Sequence, residues 1–345
     1  MRDAPPAPAG GAFVSSTPMR LATIDLGSNT VRLLVADLEP GARGWQVIEA
    51  DQRVTRLGEG LARSGRLGAV PAERTTAAVA EYVARARRVG AERVAIVATS
   101  AVREAANREA FVAALERATG ARVDVVSGEE EAALTLAGVL GGLDHDPPPG
   151  ATTLVFDIGG GSTEYVLARD RAAVASVSLR LGVVDLAERY PFPGPVDRPR
   201  YEALHAEIAG RLAAEVPGAI RAPRIDRLVG TAGTATTLAA LDLGLAAYDP
   251  ARVQGHTLGR PAVEGLLARL GALTVEARAA LPCLEPGRAD LIVAGTAIVL
   301  ATMDLTGAGA MVVSDWGLRE GILVRLGARG LTGWGPASML GRQDG

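Results

Sequence analysis

The sequence predicts an α/β protein built twice, as two βββαβα-type halves with a cleft between them. Three observations carry this expectation. One stretch occurs in two versions, Ile24-Asp25-Leu26-Gly27-Ser28-Asn29-Thr30-Val31-Arg32 and Phe156-Asp157-Ile158-Gly159-Gly160-Gly161-Ser162-Thr163-Glu164, whose aspartates lie 157 − 25 = 132 residues apart, about one domain of chain. Each version reads as an apolar strand, a turn of small residues and a second apolar strand. Each is followed by alternating strand and helix patterns, and 345 residues are enough for two cores.

In chain order, residues 21–25, 31–37 and 46–54 read as a three-stranded meander. Residues 71–89 have helical periodicity, with Val79, Tyr82, Val83 and Ala86 on one face and the solvated arginines Arg85, Arg87 and Arg88 mostly elsewhere. A buried strand at 93–99 runs into Ser100-Ala101-Val102-Arg103 and a helix to 118, so Arg103 sits at the strand-to-helix edge where α/β proteins meet ligands. A strand at 122–126 leads to Ser127-Gly128-Glu129-Glu130-Glu131 and a helix to about 140. The proline-rich loop at 144–150 separates the halves.

The second half restarts with strands at 153–157, 163–168 and 173–180, then helices at 183–189 and 200–214. A strand at 225–229 enters Gly230-Thr231-Ala232-Gly233-Thr234 before a helix from 235. That turn offers N–H groups and a helix dipole to an anion, or else serves tight helix–strand packing. The remainder is mostly helical, with a strand at 310–313 and a closing helix. The boundaries that follow are a tail at 1–18, one domain at 19–140, a second at 141–330 and a tail at 331–345, with Met19 as an alternative start. Two such halves, each opened by an aspartate-led hairpin, describe the actin-like (ribonuclease H-like) architecture, whose ligand lies between the halves.

The turn residues suggest what that ligand is. Glycine permits a tight reversal and leaves no Cβ in the way of a ligand. Successive backbone N–H groups can converge on an anion, with Ser and Thr hydroxyls adding donors. An aspartate ending the first strand then stands beside the phosphate, where it can hold Mg²⁺ directly or through water. One such turn alone would be an ordinary hairpin; two matching copies point to a phosphate cleft.

Composition narrows the chemistry. The 36 basic residues are all arginine, against 39 acidic ones. Without lysine there is neither a GxxxxGK(S/T) phosphate loop nor a Schiff base. Near-neutral charge and 3% aromatic residues argue against nucleic acid as a partner. Cys283 is the lone cysteine and three histidines are scattered, so no disulfide framework or zinc site is expected; His256 touching a ligand is the less favoured reading. The longest uncharged apolar run, 291–303, is 13 residues, short of the ~18 that a membrane span needs. The tail lacks a leader pattern, and a soluble cytoplasmic protein is expected.

Ser127 and Glu130 fit a capping box, which gives Glu130 a structural job. Glu131 points about 100° round the helix, either a solvated first-turn acid or a general base facing the cleft.

Asp25-Leu26-Gly27-Ser28-Asn29-Thr30, Ala98-Thr99-Ser100-Ala101-Val102-Arg103, Ser127-Gly128-Glu129-Glu130-Glu131-Ala132, Asp157-Ile158-Gly159-Gly160-Gly161-Ser162-Thr163-Glu164 and Gly317-Leu318-Arg319-Glu320-Gly321 occur in that order. Together they closely resemble the exopolyphosphatase / guanosine pentaphosphate phosphohydrolase (Ppx/GppA) family, over residues 20 to about 328, in its short two-domain form. The resemblance implies Mg²⁺-dependent hydrolysis of inorganic polyphosphate, or alternatively of guanosine pentaphosphate (pppGpp), by a homodimer. It implies Glu131 as the glutamate that activates water, and Asp157 and Glu164 as the acidic pair concerned with Mg²⁺, with Asp25 as a further candidate. It implies Gly159, Gly160, Gly161 and Ser162 as the loop for the terminal phosphate. Asp25, Ser28, Asn29, Thr30 and Arg32 match the first phosphate motif, and Arg103 matches an arginine aimed at the cleft. Arg288 and Arg319 are weaker matches, and Gly230, Thr231 and Gly233 are added from the third turn. An actin-fold kinase or ATPase is the more distant alternative.

Overall fold

The computed structural model describes residues 18–38, 45–143 and 148–328. Apart from residue 18, the stretches expected as tails (1–18 and 331–345) lie outside the described residues, as does most of the proline loop, including His145.

The first half is a five-stranded sheet. β1 (Met19–Leu26), β2 (Thr30–Leu38) and β3 (Trp45–Val54) form the antiparallel meander, and β4 (Arg93–Ala98) and β5 (Val123–Val125) continue in parallel beyond β1, giving the order β3-β2-β1-β4-β5. The last six residues of β1 are all buried, as a strand covered on both faces requires. The second half repeats this plan. β6 (Thr152–Ile158), β7 (Thr163–Arg169) and β8 (Ala172–Leu179) form the meander, and β9 (Arg227–Thr231) runs parallel to β6. β10 (Thr257–Gly259) and β11 (Ala310–Val313) complete the order β10-β11-β9-β6-β7-β8. Sequence periodicity does not announce β10, because three residues are too few to show alternation. The duplicated α/β, actin-like plan expected from the sequence is the plan of the molecule.

The helices fall where the apolar pattern demands. Ala69–Arg88 buries Val79, Tyr82, Val83 and Ala86 against the first sheet. The apolar segment at 291–303 forms most of a helix, Ile292–Thr306, which is buried because it packs between Arg198–Glu215 and Arg260–Gly271. Among the described residues no helix is long and apolar enough to cross a membrane.

Two helices join the halves. Gly128–Gly142 presents Leu134 to a cluster with Leu21, Leu34 and Val97 of the first sheet. Its other face buries Leu136, Val139 and Leu140 against Val155, Val166 and Val229 of the second. The closing helix, Leu318–Ala328, packs on β1 and on Gly128–Gly142 rather than on the second sheet. Gly138 and Gly321 make that crossing possible: a Cβ on either would overlap the facing backbone of Gly317 or Leu134. The helix that begins with the glutamate triplet is therefore a wedge between the two sheets.

Candidate active site

The two glycine turns fold alike. Gly27 N–H donates to Thr30 O at 3.1 Å, and Gly159 N–H donates to Ser162 O at 2.9 Å. Each turn is also held from behind. Thr55 and Arg56 N–H both donate to Asn29 O at 2.9 Å, and Gly58 N–H to Ser28 O at 2.8 Å. In the second half Val183 and Val184, at the start of a helix, donate to Gly159 O and Gly160 O at 3.1 and 2.9 Å. With these carbonyls engaged, the amides that follow Gly27 and Gly159 in each turn are left to serve the cleft.

The loops touch each other. A Cβ at Gly161 would lie 2.6 Å from Ser28 Oγ and 2.7 Å from Ser100 Oγ, and one at Gly160 would lie 2.9 Å from Asn29 N. Only glycine allows this approach. The cleft so formed holds about 780 Å³ of empty space, counted out to open solvent, and brings both loops together with Asp25, Asp157, Arg32, Arg288, Glu131 and Gly233. Arg32, Ala232 and Arg288 are shared with a second chamber of about 1230 Å³, walled further by Tyr248, Thr236, Asp315 and Arg319.

Register explains the charges. Asp25 pairs across the sheet with Arg32, whereas its counterpart Asp157 pairs with Glu164. Burial pushes the Asp25 carboxyl up to about 6, with Arg32 pulling down and Asp157 pushing further up. Asp157 is also raised by burial, and among the described residues its side chain receives only the Thr135 hydroxyl, at 3.4 Å. Glu164 is raised to about 7, by burial first and then by Asp157. It lies behind the cleft wall, accepting from Ser178 Oγ at 2.7 Å. The Asp25 carboxylate accepts no hydrogen bond among the described residues, although Asp25 is only 7% exposed. The Arg32 guanidinium likewise makes no hydrogen bond or ion pair among the described residues, which leaves its donors to a ligand.

Glu131 stands at the mouth of the wedge helix. Ser127 and Glu130 form the expected capping box, with Glu130 N–H donating to Ser127 Oγ at 3.1 Å and Ser127 N–H to Glu130 Oε2 at 3.0 Å. This leaves Glu131 to point inward, 7% exposed. Burial and the Glu164 charge raise its carboxyl well above the ordinary range, against the pull of Arg103. Arg103 does not line the cleft; its Nη1 donates to Glu131 Oε2 at 2.8 Å and to Val126 O at 3.0 Å, holding the carboxylate from behind.

The third turn divides. Gly230 and Thr231 belong to β9 and stay out of the cleft: a Cβ on Gly230 would meet Met311 and Phe156 at 2.9 Å, and Thr231 Oγ1 donates to Trp316 O at 3.0 Å. The helix begins at Ala232, earlier than the sequence suggests, with Ala232 in the left-handed region at φ +65°. Gly233 does face the cleft, and a Cβ there would lie 2.6 Å from Arg288 Nη1. Arg288 donates to Thr30 Oγ1 at 3.4 Å, and burial beside Arg32 lowers its pKa to about 10. Arg319 is ion-paired with Glu320 at 2.6 Å and lines the second chamber. His256 is engaged with Asp242 at 2.8 Å. Sequence reasoning passed over Ser100 as a wall of the cleft and Arg56 as its strap; the signal for the latter was Arg56-Leu57-Gly58-Glu59-Gly60 directly after a strand.

Among the described residues no three His, Cys, Asp or Glu side chains form a ready metal cage. Asp25, buried, and Asp157, half-buried, are poorly hydrogen-bonded and repel each other, and they nevertheless suit Mg²⁺, which takes one or two carboxylates and completes its shell with water and phosphate oxygens.

The pattern of the Ppx/GppA phosphatase family matches residues 34–329. Exopolyphosphatase 2 of Mycobacterium tuberculosis is 35% identical over 322 residues, which cover 89% of this chain and 98% of the relative. Exopolyphosphatase 1 of Mycobacterium bovis is 30% identical over 307 residues, covering 89% and 88%. Among solved structures, the Aquifex aeolicus PPX-GPPA enzyme is 33% identical with a TM-score of 0.73, covering 90% of this chain and all of that one. An exopolyphosphatase from Cytophaga hutchinsonii, 23% identical, has the same fold at a TM-score of 0.82 over 90% and 98% of the two chains.

Proposed function

The chain belongs to the Ppx/GppA phosphatase family, and we propose that it is an exopolyphosphatase, hydrolysing the terminal phosphoanhydride of inorganic polyphosphate to release orthophosphate. One observation carries the reading: a buried glutamate with a raised pKa, Glu131, opens into the same cleft as both glycine loops.

The terminal phosphate sits between the loops, where amides of residues 160–162 and 28–30 and the hydroxyls of Ser28, Thr30 and Ser162 donate to its oxygens. Arg32 and Arg288 carry the charge of the next phosphates. Glu131 accepts a proton from water as the water oxygen attacks the terminal phosphorus in line with the bridging oxygen. The P–O bond to that bridge breaks, orthophosphate leaves, and the arginines stabilise the new terminal oxyanion of the shortened chain. Phosphoryl transfer depends mostly on positioning and charge stabilisation, so loops, arginines and a base form a working set. Asp25 and Asp157 would hold Mg²⁺, with Glu164 supporting them from behind. When bound, the ion supplies charge neutralisation at the phosphate oxygens.

The second chamber favours a second reading, pppGpp as substrate, because it adjoins the phosphate cleft at Arg32 and Arg288 and exposes the ring of Tyr248. Phosphate release with Mg²⁺ from long polyphosphate, tripolyphosphate, pppGpp and ATP separates the readings. We expect polyphosphate to lead, and Glu131→Gln to lower kcat by about 10²–10⁴-fold without unfolding the chain. A lead for pppGpp selects the second reading, and turnover retained in Glu131→Gln removes the glutamate from the mechanism.

A further inference from the structure

The strap behind the first glycine loop also reaches across the cleft. After β3 the chain turns at Arg56, which takes φ +51°, an uncommon conformation for a residue other than glycine. Its amide, with that of Thr55, holds Asn29 O. Its side chain leaves the first half altogether. Nη1 and Nη2 donate to the two oxygens of Asp290 at 2.9 and 2.7 Å, and Nη2 also donates to Gly287 O at 3.2 Å. Between those two anchors lies Arg288, whose guanidinium enters the cleft beside Thr30 and donates to Gln52 Oε1 at 3.1 Å. Gly287 itself rests on Val54, where a Cβ would come within 2.8 Å.

A single residue therefore holds the back of one phosphate loop with its backbone and the turn that presents Arg288 with its side chain. We propose that Arg56 and Asp290 are a positioning pair: their ion pair sets the register between the amides of residues 28–30 and the Arg288 guanidinium, so that both converge on one polyphosphate chain. The inference rests on the hydrolytic reading above. A merely structural role would show mainly in stability, yet the pair is about one-third exposed (33% and 35%), where ion pairs stabilise little. Positioning has a larger reach, since a shift of about 1 Å in a reacting group costs up to about a hundredfold in rate.

The test uses the full chain with Arg56→Ala, Asp290→Asn and the double variant, assayed for kcat and KM on tripolyphosphate and for amide hydrogen exchange. Each single variant should lose about ten- to a hundredfold in kcat with a thermal midpoint close to wild type. The double variant should lose no more than the worse single, because both remove one coupling. Asp290→Asn, a change in the second half, should speed exchange of the Thr55 and Arg56 amides in the first by about tenfold or more. Wild-type kcat in both single variants, multiplying losses in the double, or unchanged exchange at residues 55–58 overturns the proposal. If the wild type releases no phosphate, the hydrolytic reading fails, and the exchange measurement still decides whether the pair couples the halves.

Discussion

Glu131 is one of three adjacent glutamates, and its neighbours explain its distinctness. The helix cap occupies Glu130, the helical turn sends Glu131 inward, and burial then raises its pKa. Arg103 opposes that rise, by charge and by its hydrogen bond to the carboxylate. A general base works only when ionised, so activity should fall on the acid side of the Glu131 pKa. Arg103→Ala removes the opposing charge and the hydrogen bond, and should move that limb of the kcat/KM profile to higher pH. A limb that stays in place would show that Arg103 does not tune the base. The sequence revealed the glutamate and the cap, since both follow from local spacing. It did not reveal that Arg103 backs Glu131 instead of facing phosphate, because 28 residues and a strand separate the two.

At the scale of elements, the glutamate helix is placed by what grips its sides. Its sequence is apolar nearly all round, which a helix wedged between two sheets requires. The crossing with the closing helix depends on Gly138 and Gly321, where backbone meets backbone. Gly321→Ala should therefore destabilise the protein by about 1–3 kcal/mol or more, as overpacking does. A lowered urea midpoint at unchanged m-value would register this; an unchanged midpoint would mean that the helices can part at no cost. The closing helix itself was legible from its pattern, but its seat on the first sheet was not. Periodicity records which face is buried and is silent on which sheet buries it.

For the whole molecule, closing two glycine loops against each other buries carboxylates that repel. Asp25 rises from 3.8 to about 6 and Glu164 from 4.5 to about 7. A carboxylate raised in the folded state binds its proton more tightly there than in the unfolded chain. Its contribution is fully present below the unfolded value and is lost as pH rises through the folded one. Stability should thus fall between about pH 4 and 7, on the order of 3 kcal/mol for Asp25. A cation between Asp25 and Asp157 would offset the loss, so Mg²⁺ should raise the thermal midpoint more at pH 8 than at pH 5. Equal shifts at the two pH values would argue against these carboxylates as the binding groups.

The duplication, the two glycine turns, the capped glutamate and the absence of lysine were all legible in the sequence, because each is written in neighbouring residues or in composition. Tertiary structure alone decided what stands beside what. It put Gly230 and Thr231 into a packed strand and Gly233 against Arg288, set Glu164 behind the wall, and joined Arg56 to Asp290 across 234 residues of chain. These placements depend on how two sheets share one helix and how closely two glycine loops approach, and such contacts have no spacing in the chain by which to be read.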